Sequence, residues 1–166
     1  MKLYLAGPMF SAAEVSYNLA LTARLRGHGF EVYCPNESEP INDKTRTDVT
    51  ARLVYEADLA ALEASQVLIC QVSEDSGTNW EAGYMDCLSK RVDSGRYYGV
   101  IGLATDIRLR AMPDLSKTGV ENQAGHVNAL VVGGLQRSLG VYLDEESMIE
   151  RLLALRRERE GPPSSG

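Results

Sequence analysis

The sequence predicts a doubly wound α/β fold, in which helices cover both faces of one five-stranded parallel sheet. Short apolar runs alternate along the chain with segments of helical periodicity, which predicts right-handed crossovers between parallel strands. The run from Val67 to Val72 is nearly continuously apolar, as is typical of a central strand buried on both faces. The chain has 166 residues, so we expect one domain over residues 1–160 and a short tail.

The first half of the chain contains three predicted strands and two predicted helices. Gly7-Pro8 ends the first strand, and Ser11 and Glu14 have the spacing of a capping box that begins a helix. In order, the predicted elements are a strand at 3–6, a helix at 11–26, a strand at 30–33, a helix at 46–64 and the strand at 67–72.

The second half continues the alternation but contains one long irregular segment. Its predicted elements are a helix at 79–90, a strand at 97–103, a short helix at 128–137, a strand at 139–143 and a helix at 145–159. Residues 104–126 have no apolar period, which indicates a functional loop or a mobile lid. Residues 161–166 are rich in Gly, Pro and Ser, and we expect a disordered tail there.

The charge pattern argues against a nucleic-acid partner. Seventeen basic and 23 acidic side chains give a formal charge of −6, whereas a phosphate backbone requires a clustered basic face. The densest basic run, Arg151 to Arg159, is interleaved with glutamates, so we interpret it as a solvated helix face.

Membrane insertion and metal binding are not expected either. No apolar stretch approaches the ~18 residues that a membrane span requires. The odd set of cysteines, Cys34, Cys70 and Cys87, lacks the spacing of metal ligands. The sequence begins directly with a strand-like segment, so we expect no signal peptide and a cytoplasmic location.

In doubly wound sheets, ligands bind at the carboxyl ends of the strands. This rule selects four candidate loops, at residues 7–10, 34–43, 73–81 and 104–128. The loop at 73–81 leaves the most buried strand and enters a helix, where backbone amides and the helix dipole favour a ligand. Gly77 permits a tight turn there, and we expect the dipole to keep Glu81 ionised, as a nucleophilic carboxylate must be.

Structural roles are open alternatives for each of these side chains. Thr78 and Glu81 have the spacing of a capping box, so Glu81 could merely close its own helix. Asp75 could be a turn former, Asp58 a surface residue, and Tyr4 a core residue.

Three segments together resemble the nucleoside 2-deoxyribosyltransferase family. They are Tyr4-Leu5-Ala6-Gly7-Pro8-Met9-Phe10, the Asp58 region Tyr-Glu-Ala-Asp-Leu, and Asp75-Ser76-Gly77-Thr78-Asn79-Trp80-Glu81-Ala82-Gly83-Tyr84. Asp106-Ile107-Arg108 and Asn128 extend the resemblance over most of the chain. Their order and spacing are similar to those of the family.

The resemblance implies a flavodoxin-like fold and catalytic roles for four residues. Glu81 corresponds to the family's nucleophile, Tyr4 to the tyrosine that orients it, and Asp58 and Asp75 to its two active-site aspartates. Neither a metal nor an organic cofactor is implied.

The resemblance also implies substrate contacts and an oligomer. Gly7, Met9 and Phe10 would lie against the base and sugar, although Phe10 could instead be a core residue. Ser76 and Gly77 belong to the substrate-binding turn, and Asn128 would be donated by a neighbouring subunit of a dimer, tetramer or hexamer. The partners implied are a nucleoside and a free nucleobase.

The reaction implied is base exchange through a covalent glycosyl ester of Glu81. Breaking the C1′–N bond passes through an oxocarbenium-like state that a carboxylate can trap. The leaving base needs a proton, which Asp58 or Asp75 could supply.

Three alternatives remain. The first is hydrolysis of nucleoside 5′-monophosphates; Asp75 opposes a phosphate dianion there, whereas the neighbouring Ser76 could donate to one. The second is a phosphoribohydrolase that releases cytokinin-type bases, disfavoured because Glu74-Asp75-Ser76 replaces its glycine-rich turn. The third is a non-catalytic nucleotide-binding module, against which the intact carboxylate set argues.

Overall fold

The computed structural model describes residues 1–38, 45–106 and 127–161. The strands are β1 (Lys2–Ala6), β2 (Glu31–Tyr33), β3 (Val67–Gln71), β4 (Gly99–Leu103) and β5 (Val141–Tyr142). The α-helices are α1 (Ala12–Gly27), α2 (Ala51–Glu63), α3 (Ser76–Cys87), α4 (Ala129–Gln136) and α5 (Glu145–Glu160). A 3-10 helix at Pro35–Glu37 follows β2, and a π-helical turn at Leu88–Val92 follows α3.

The five strands form one parallel sheet in the order β2-β1-β3-β4-β5. This order is that of flavodoxin-like folds, so the predicted fold class is confirmed. β1 pairs with β2 on one side and with β3 on the other. The strands are added to one side of β1 first and then, from β3 onward, to its other side. This change of side opens a crevice at the carboxyl ends of β1 and β3.

Alternating side chains of the central strands face two separate cores. Leu3, Leu5, Val67 and Ile69 pack with α1 and α5. On the opposite face, Tyr4, Ala6, Leu68 and Cys70 pack with α2, α3 and α4. Each of these β1 and β3 side chains is at most 1% exposed, and burying an aliphatic one stabilises the fold by about 1.5–3 kcal/mol. This burial on both faces explains the continuous apolar run of β3.

Capping residues determine where the helices begin. The predicted capping box before α1 is present, with the Glu14 amide donating to Ser11 Oγ and the Ser11 amide donating to Glu14 Oε2. The second helix, predicted from residue 46, begins instead at Ala51, because the Thr50 hydroxyl accepts the Leu53 amide. The third, predicted from Asn79, begins at Ser76 because Asp75 caps it.

Some predictions fall partly or wholly outside the described residues. Of the predicted loop at 104–126, only residues 104–106 are described. Arg108 lies outside the described residues, and the predicted role of the loop stays a prediction. Residues 162–166 of the predicted tail also lie outside. Across the described ranges, none of the helices combines the length and the apolar character needed to cross a membrane.

Candidate active site

A cleft of about 730 Å³ opens beside the carboxyl ends of β1 and β2 and the first turns of α3. It brings together most of the predicted site residues. Those that line it are Gly7, Met9, Phe10, Asp58, Asp75, Ser76, Gly77 and Glu81. The loop after β1, the helix before β3 and the helix after β3 therefore converge at the crevice that the strand order creates.

Glu81 is held by the first strand. The Tyr4 hydroxyl donates a hydrogen bond of 2.6 Å to Glu81 Oε1. Tyr4 belongs to the sheet face that α3 covers, and its side chain is fully buried. The bond joins residues 77 positions apart, so β1 and α3 must be docked before the carboxylate acquires this orientation.

Glu81 does not close its own helix. Asp75 is the N-cap of α3, and its Oδ2 accepts the backbone amide and the hydroxyl of Thr78, both at 2.7 Å. Glu81 lies in the second turn, with its side chain directed to Tyr4 and the cleft. The capping function left open for Glu81 is performed by Asp75, which borders the same cleft.

Burial raises the pKa of the Glu81 carboxyl to about 7. The hydrogen bond from Tyr4 lowers this pKa, whereas the charges of Asp58 and Asp75 raise it. We expected the dipole of α3 to keep Glu81 ionised, but burial acts in the opposite direction by raising the pKa. The dipole acts within the first turn of a helix, and Glu81 lies beyond that turn, so desolvation dominates.

Asp58 is half-buried beside the same tyrosine. Burial raises the pKa of its carboxyl, and hydrogen bonding with Tyr4 and Tyr33 acts in the opposite direction. The Tyr33 ring packs on the Tyr4 ring with centroids 5.1 Å apart. We call Tyr4, Asp58 and Glu81 the carboxylate site. Two carboxyl groups with raised pKa values in one cleft are the arrangement expected of acid–base chemistry.

The remaining wall of the cleft is apolar and uncharged. Val15, Pro35, Val49 and Val54 line it together with Asn36. No Lys or Arg from the described part of the chain lines the cleft, whereas Asp58, Asp75 and Glu81 do. Among the described residues, this balance of charge disfavours a bound anion.

Phe10 and Asn128 differ in their relation to the cleft. Phe10 is at its rim with 82% of its surface exposed, so the core role left open for it is not observed. Asn128 is exposed, caps α4 by accepting the Leu130 amide at 2.9 Å, and does not line this cleft within its own chain. Its contribution to a neighbouring subunit stays a prediction.

Tyr33 and Asn36 are residues near the cleft that sequence reasoning did not select. Asn36 belongs to the candidate loop at 34–43, so its position after a strand was an available signal. Tyr33 gave none, because an aromatic residue at the end of a strand is ordinary in a core.

Among the residues that the structure describes, no group of three or more His, Cys, Asp and Glu side chains is arranged to hold a metal ion. The polar groups that the described side chains offer at the cleft are carboxyl, hydroxyl and amide groups.

A family model described as nucleoside 2-deoxyribosyltransferase matches residues 3–130 of the chain. The match covers the Tyr4 segment, Asp58, the turn from Asp75 to Tyr84, and Asn128. It therefore includes every residue that lines the cleft. No curated protein matches the chain.

Solved structures are similar over nearly the whole chain. A conserved protein from Enterococcus faecalis V583 is 28% identical with a TM-score of 0.71, covering 93% of this chain and 98% of that one. A 2-deoxyribosyltransferase from Bacillus psychrosaccharolyticus is 18% identical with a TM-score of 0.59, covering 90% of each chain. A CMP N-glycosidase from Clostridium botulinum is 15% identical with a TM-score of 0.51, covering 93% of this chain and 99% of that one. The last two show likeness of fold alone.

Proposed function

This chain belongs to the nucleoside 2-deoxyribosyltransferase family, and on that premise we propose that it exchanges the base of a nucleoside through a covalent glycosyl ester of Glu81. The observation that carries the proposal is the 2.6 Å hydrogen bond from Tyr4 to the Glu81 carboxyl group, which lines the cleft. A nucleophile must be oriented and partly desolvated, and this contact with β1 supplies both.

In the proposed first step, the ionised Glu81 oxygen attacks C1′ of the nucleoside. The C1′–N bond breaks, its electron pair goes to the base, and a carboxylic acid protonates the base as it leaves. Glu81 has a pKa of about 7, so a substantial fraction is ionised near neutral pH. The Tyr4 hydrogen bond favours that ionised form.

We assign the acid role to Asp58 rather than Asp75. Burial raises the pKa of Asp58, which favours the protonated form needed for donation. Asp75 instead uses its Oδ2 to accept hydrogen bonds from the amide and hydroxyl of Thr78, so this side chain is engaged in capping α3. Asp75 thus holds the first turn of α3 in place, with Ser76 and Gly77 beside the substrate.

In the second step, a free base attacks C1′ of the ester and gives a proton to Asp58. The Glu81 oxygen leaves with its electron pair, which regenerates the carboxylate. Two inversions at C1′ restore the original configuration. Asp58 acts first as acid and then as base, as microscopic reversibility requires.

A free 5′-hydroxyl fits this cleft better than a 5′-phosphate. Three carboxyl groups and no lining Lys or Arg from the described residues surround the ligand position, which makes a dianion costly. Hydrolysis of nucleoside 5′-monophosphates is nevertheless the second candidate. Ser76 and Gly77 at the start of α3 favour it, because a helix N-terminus offers amide donors to a phosphate.

We further propose that the protein is a homo-oligomer in which Asn128 completes a neighbouring cleft. Asn128 is exposed on its own chain, and Leu130, two residues later, is 84% exposed, so an apolar side chain is available beside Asn128 for contact with a second copy. Sedimentation of the wild-type protein and of Leu130→Asp tests this; a monomer in both would contradict it.

The test of the reaction uses deoxyinosine with free adenine, deoxyinosine alone, and deoxyinosine monophosphate, with products separated by liquid chromatography. We expect deoxyadenosine only when adenine is present, and none from Glu81→Gln. The matched control is Glu56→Gln, an exposed carboxylate on α2 that pairs with Arg52, and we expect it to retain activity. Hypoxanthine released only from the monophosphate would support the hydrolase instead.

A further inference from the structure

We infer that Asn36 recognises the base by donating a hydrogen bond to it. Bases with a carbonyl group at the contacted edge are then preferred over bases with an amino group there. This inference rests on the proposed function and adds to it a discrimination between substrates. It starts from three side-chain amides, those of Gln71, Asn18 and Asn36, which we call the amide relay.

The amide relay crosses the carboxyl edge of three adjacent strands. Gln71 is the last residue of β3, Asn18 is in α1, and Asn36 is in the 3-10 helix after β2. Gln71 Nε2 donates to Asn18 Oδ1 at 2.5 Å, and Asn18 Nδ2 donates to Asn36 Oδ1 at 2.9 Å. Asn18 is only 2% exposed, so its hydrogen bonds are shielded from exchange with water.

The space for this crossing exists because residue 7 is glycine. A Cβ at Gly7 would lie 2.6 Å from both Cδ and Nε2 of Gln71. Any side chain there would displace Gln71 from its path over the end of β1. The relay and the loop from Gly7 to Phe10, which lines the cleft, are therefore packed as one unit.

The carbonyl of Pro8 determines which way each amide points. Asn18 Nδ2 also donates to the Pro8 oxygen at 3.1 Å, and a carbonyl can only accept. Asn18 must therefore turn its nitrogen toward Pro8 and Asn36 and its oxygen toward Gln71. Asn36 must in turn present its oxygen to Asn18. The Cys34 thiol, 3.6 Å from the same Asn36 oxygen, is a donor and agrees with this assignment.

This orientation leaves the Asn36 nitrogen for the cleft. Asn36 lines the cleft, and within the described ranges no acceptor is bonded to its Nδ2. That nitrogen is also not one of the buried polar atoms left unpaired, so it is accessible to solvent. The relay consequently makes Asn36 a hydrogen-bond donor, with its acceptor oxygen already occupied on the protein side.

The position of Asn36 corresponds to the base rather than to the sugar. The apolar residues of the cleft, including Pro35 beside it and Val54 on α2, form the part that suits a flat ring. Parallel strands lie ~4.8 Å apart, so the end of β2 is roughly 10 Å from the end of β3, which leads into α3. A nucleoside whose C1′ lies at Glu81 can reach across that distance with its base.

A donor discriminates between bases that differ in one substituent. Hypoxanthine and thymine carry a carbonyl where adenine and cytosine carry an amino group. An amino group facing Asn36 Nδ2 would leave two donors opposed, and sites that pair a substrate polar group discriminate strongly against its replacement. We expect preferences of about tenfold or more for deoxyinosine over deoxyadenosine and for thymidine over deoxycytidine.

The experiment replaces the hydrogen-bond donor of the Asn36 side chain with an acceptor of nearly the same shape. Asn36→Asp replaces the donating nitrogen with an oxygen, and we expect it to reduce or reverse both carbonyl-to-amino ratios of kcat/KM. Glu37→Gln is the matched control, because Glu37 belongs to the same 3-10 helix but pairs with Arg26, away from the cleft. We expect it to leave both ratios unchanged. Equal ratios in wild type and Asn36→Asp would overturn the inference.

A binding measurement separates this inference from the proposed reaction. Calorimetric dissociation constants for the same four nucleosides are measured in Glu81→Gln and in Glu81→Gln combined with Asn36→Asp. If wild type turns over no nucleoside, the proposed function fails, and the binding ratios still decide the role of Asn36. If turnover occurs but neither the kinetic nor the binding ratio responds to Asn36→Asp, only the present inference fails.

Discussion

The carboxylate site and the amide relay lie at the same edge of the sheet but respond differently to protons. The carboxylate site occupies the face covered by α2 and α3, and burial raises the pKa values of Glu81 and Asp58. The amide relay connects α1 with the ends of β2 and β3 and contains no ionisable group. Under the proposed function, bond breaking therefore depends on pH, whereas the inferred recognition of the base does not.

The largest expected effect is at Asp58. Asp58→Asn removes the proposed acid, so we expect kcat for deoxyinosine to fall by about 10²–10⁴. A nitrophenyl deoxyriboside needs no proton on its leaving group, and its cleavage should fall much less. Asp48→Asn, at an exposed aspartate paired with Arg46, is the control. An equal loss with both substrates would mean that Asp58 has another role.

The free energy of unfolding should depend on pH because of Glu81. Its pKa is raised from 4.5 to about 7, so the folded protein binds this proton more tightly than the unfolded chain does. The stabilisation is complete below pH 4.5 and is lost as the pH rises through 7. Relative to Glu81→Gln, the free energy of unfolding should fall by on the order of 3 kcal/mol over that range.

Urea denaturation at several pH values measures this difference. Asn36→Leu, in the amide relay, provides the comparison, because the change in unfolding free energy that it causes should be independent of pH. Parallel pH curves for wild type and Glu81→Gln would contradict the raised pKa.

Tyr4→Phe should have a smaller effect on rate and a characteristic effect on pH dependence. The hydrogen bond from Tyr4 lowers the pKa of Glu81, so its removal should raise that pKa and move the acidic limb of kcat/KM to higher pH. We expect a loss of roughly 10- to 100-fold near neutral pH, the usual value of a hydrogen bond to a charged group. A uniform loss at all pH values would indicate misplacement of Glu81 rather than a changed pKa.

The smallest predicted effect is at Gln71, the residue of the amide relay that belongs to β3. Gln71→Glu places an acceptor opposite Asn18 Oδ1, which opposes the orientation of the whole amide relay. We expect a several-fold loss of the carbonyl-to-amino preference although Gln71 does not line the cleft. The pH profile of kcat should keep its shape, since the carboxylate site is untouched; an altered profile would mean that the two networks are coupled.

The sequence predicted the fold and the location of the cleft more fully than the contacts within it. The apolar run of β3 placed the loop at 73–81 at the carboxyl edge, because burial on both faces leaves a recognisable pattern. The contact of Tyr4 with Glu81 was reached only through resemblance to a family, since a tyrosine in a strand is ordinarily a core residue. Nothing in the residue types at positions 4 and 81, or in their spacing, indicates that these two side chains are in contact.

Neither the amide relay nor the raised pKa of Glu81 could be predicted from the sequence. Asn18 is a polar residue within a helix, and nothing local indicates that it lies between Gln71 and Asn36 in space. The expectation for Glu81 used the helix dipole, which depends on where the helix begins. With the helix starting at Ser76, Glu81 lies beyond the first turn, where the dipole acts, and burial raises its pKa.

The presence of glycine at position 7 has a consequence for engineering the substrate choice of this protein. Because Gln71 passes over that glycine, the inferred hydrogen-bond donor at Asn36 is oriented by residues behind the cleft wall. Substitutions at position 71 could retune substrate choice while leaving the shape of the binding surface intact. A biocatalyst with a different range of bases could then be sought without redesigning any residue that touches the substrate.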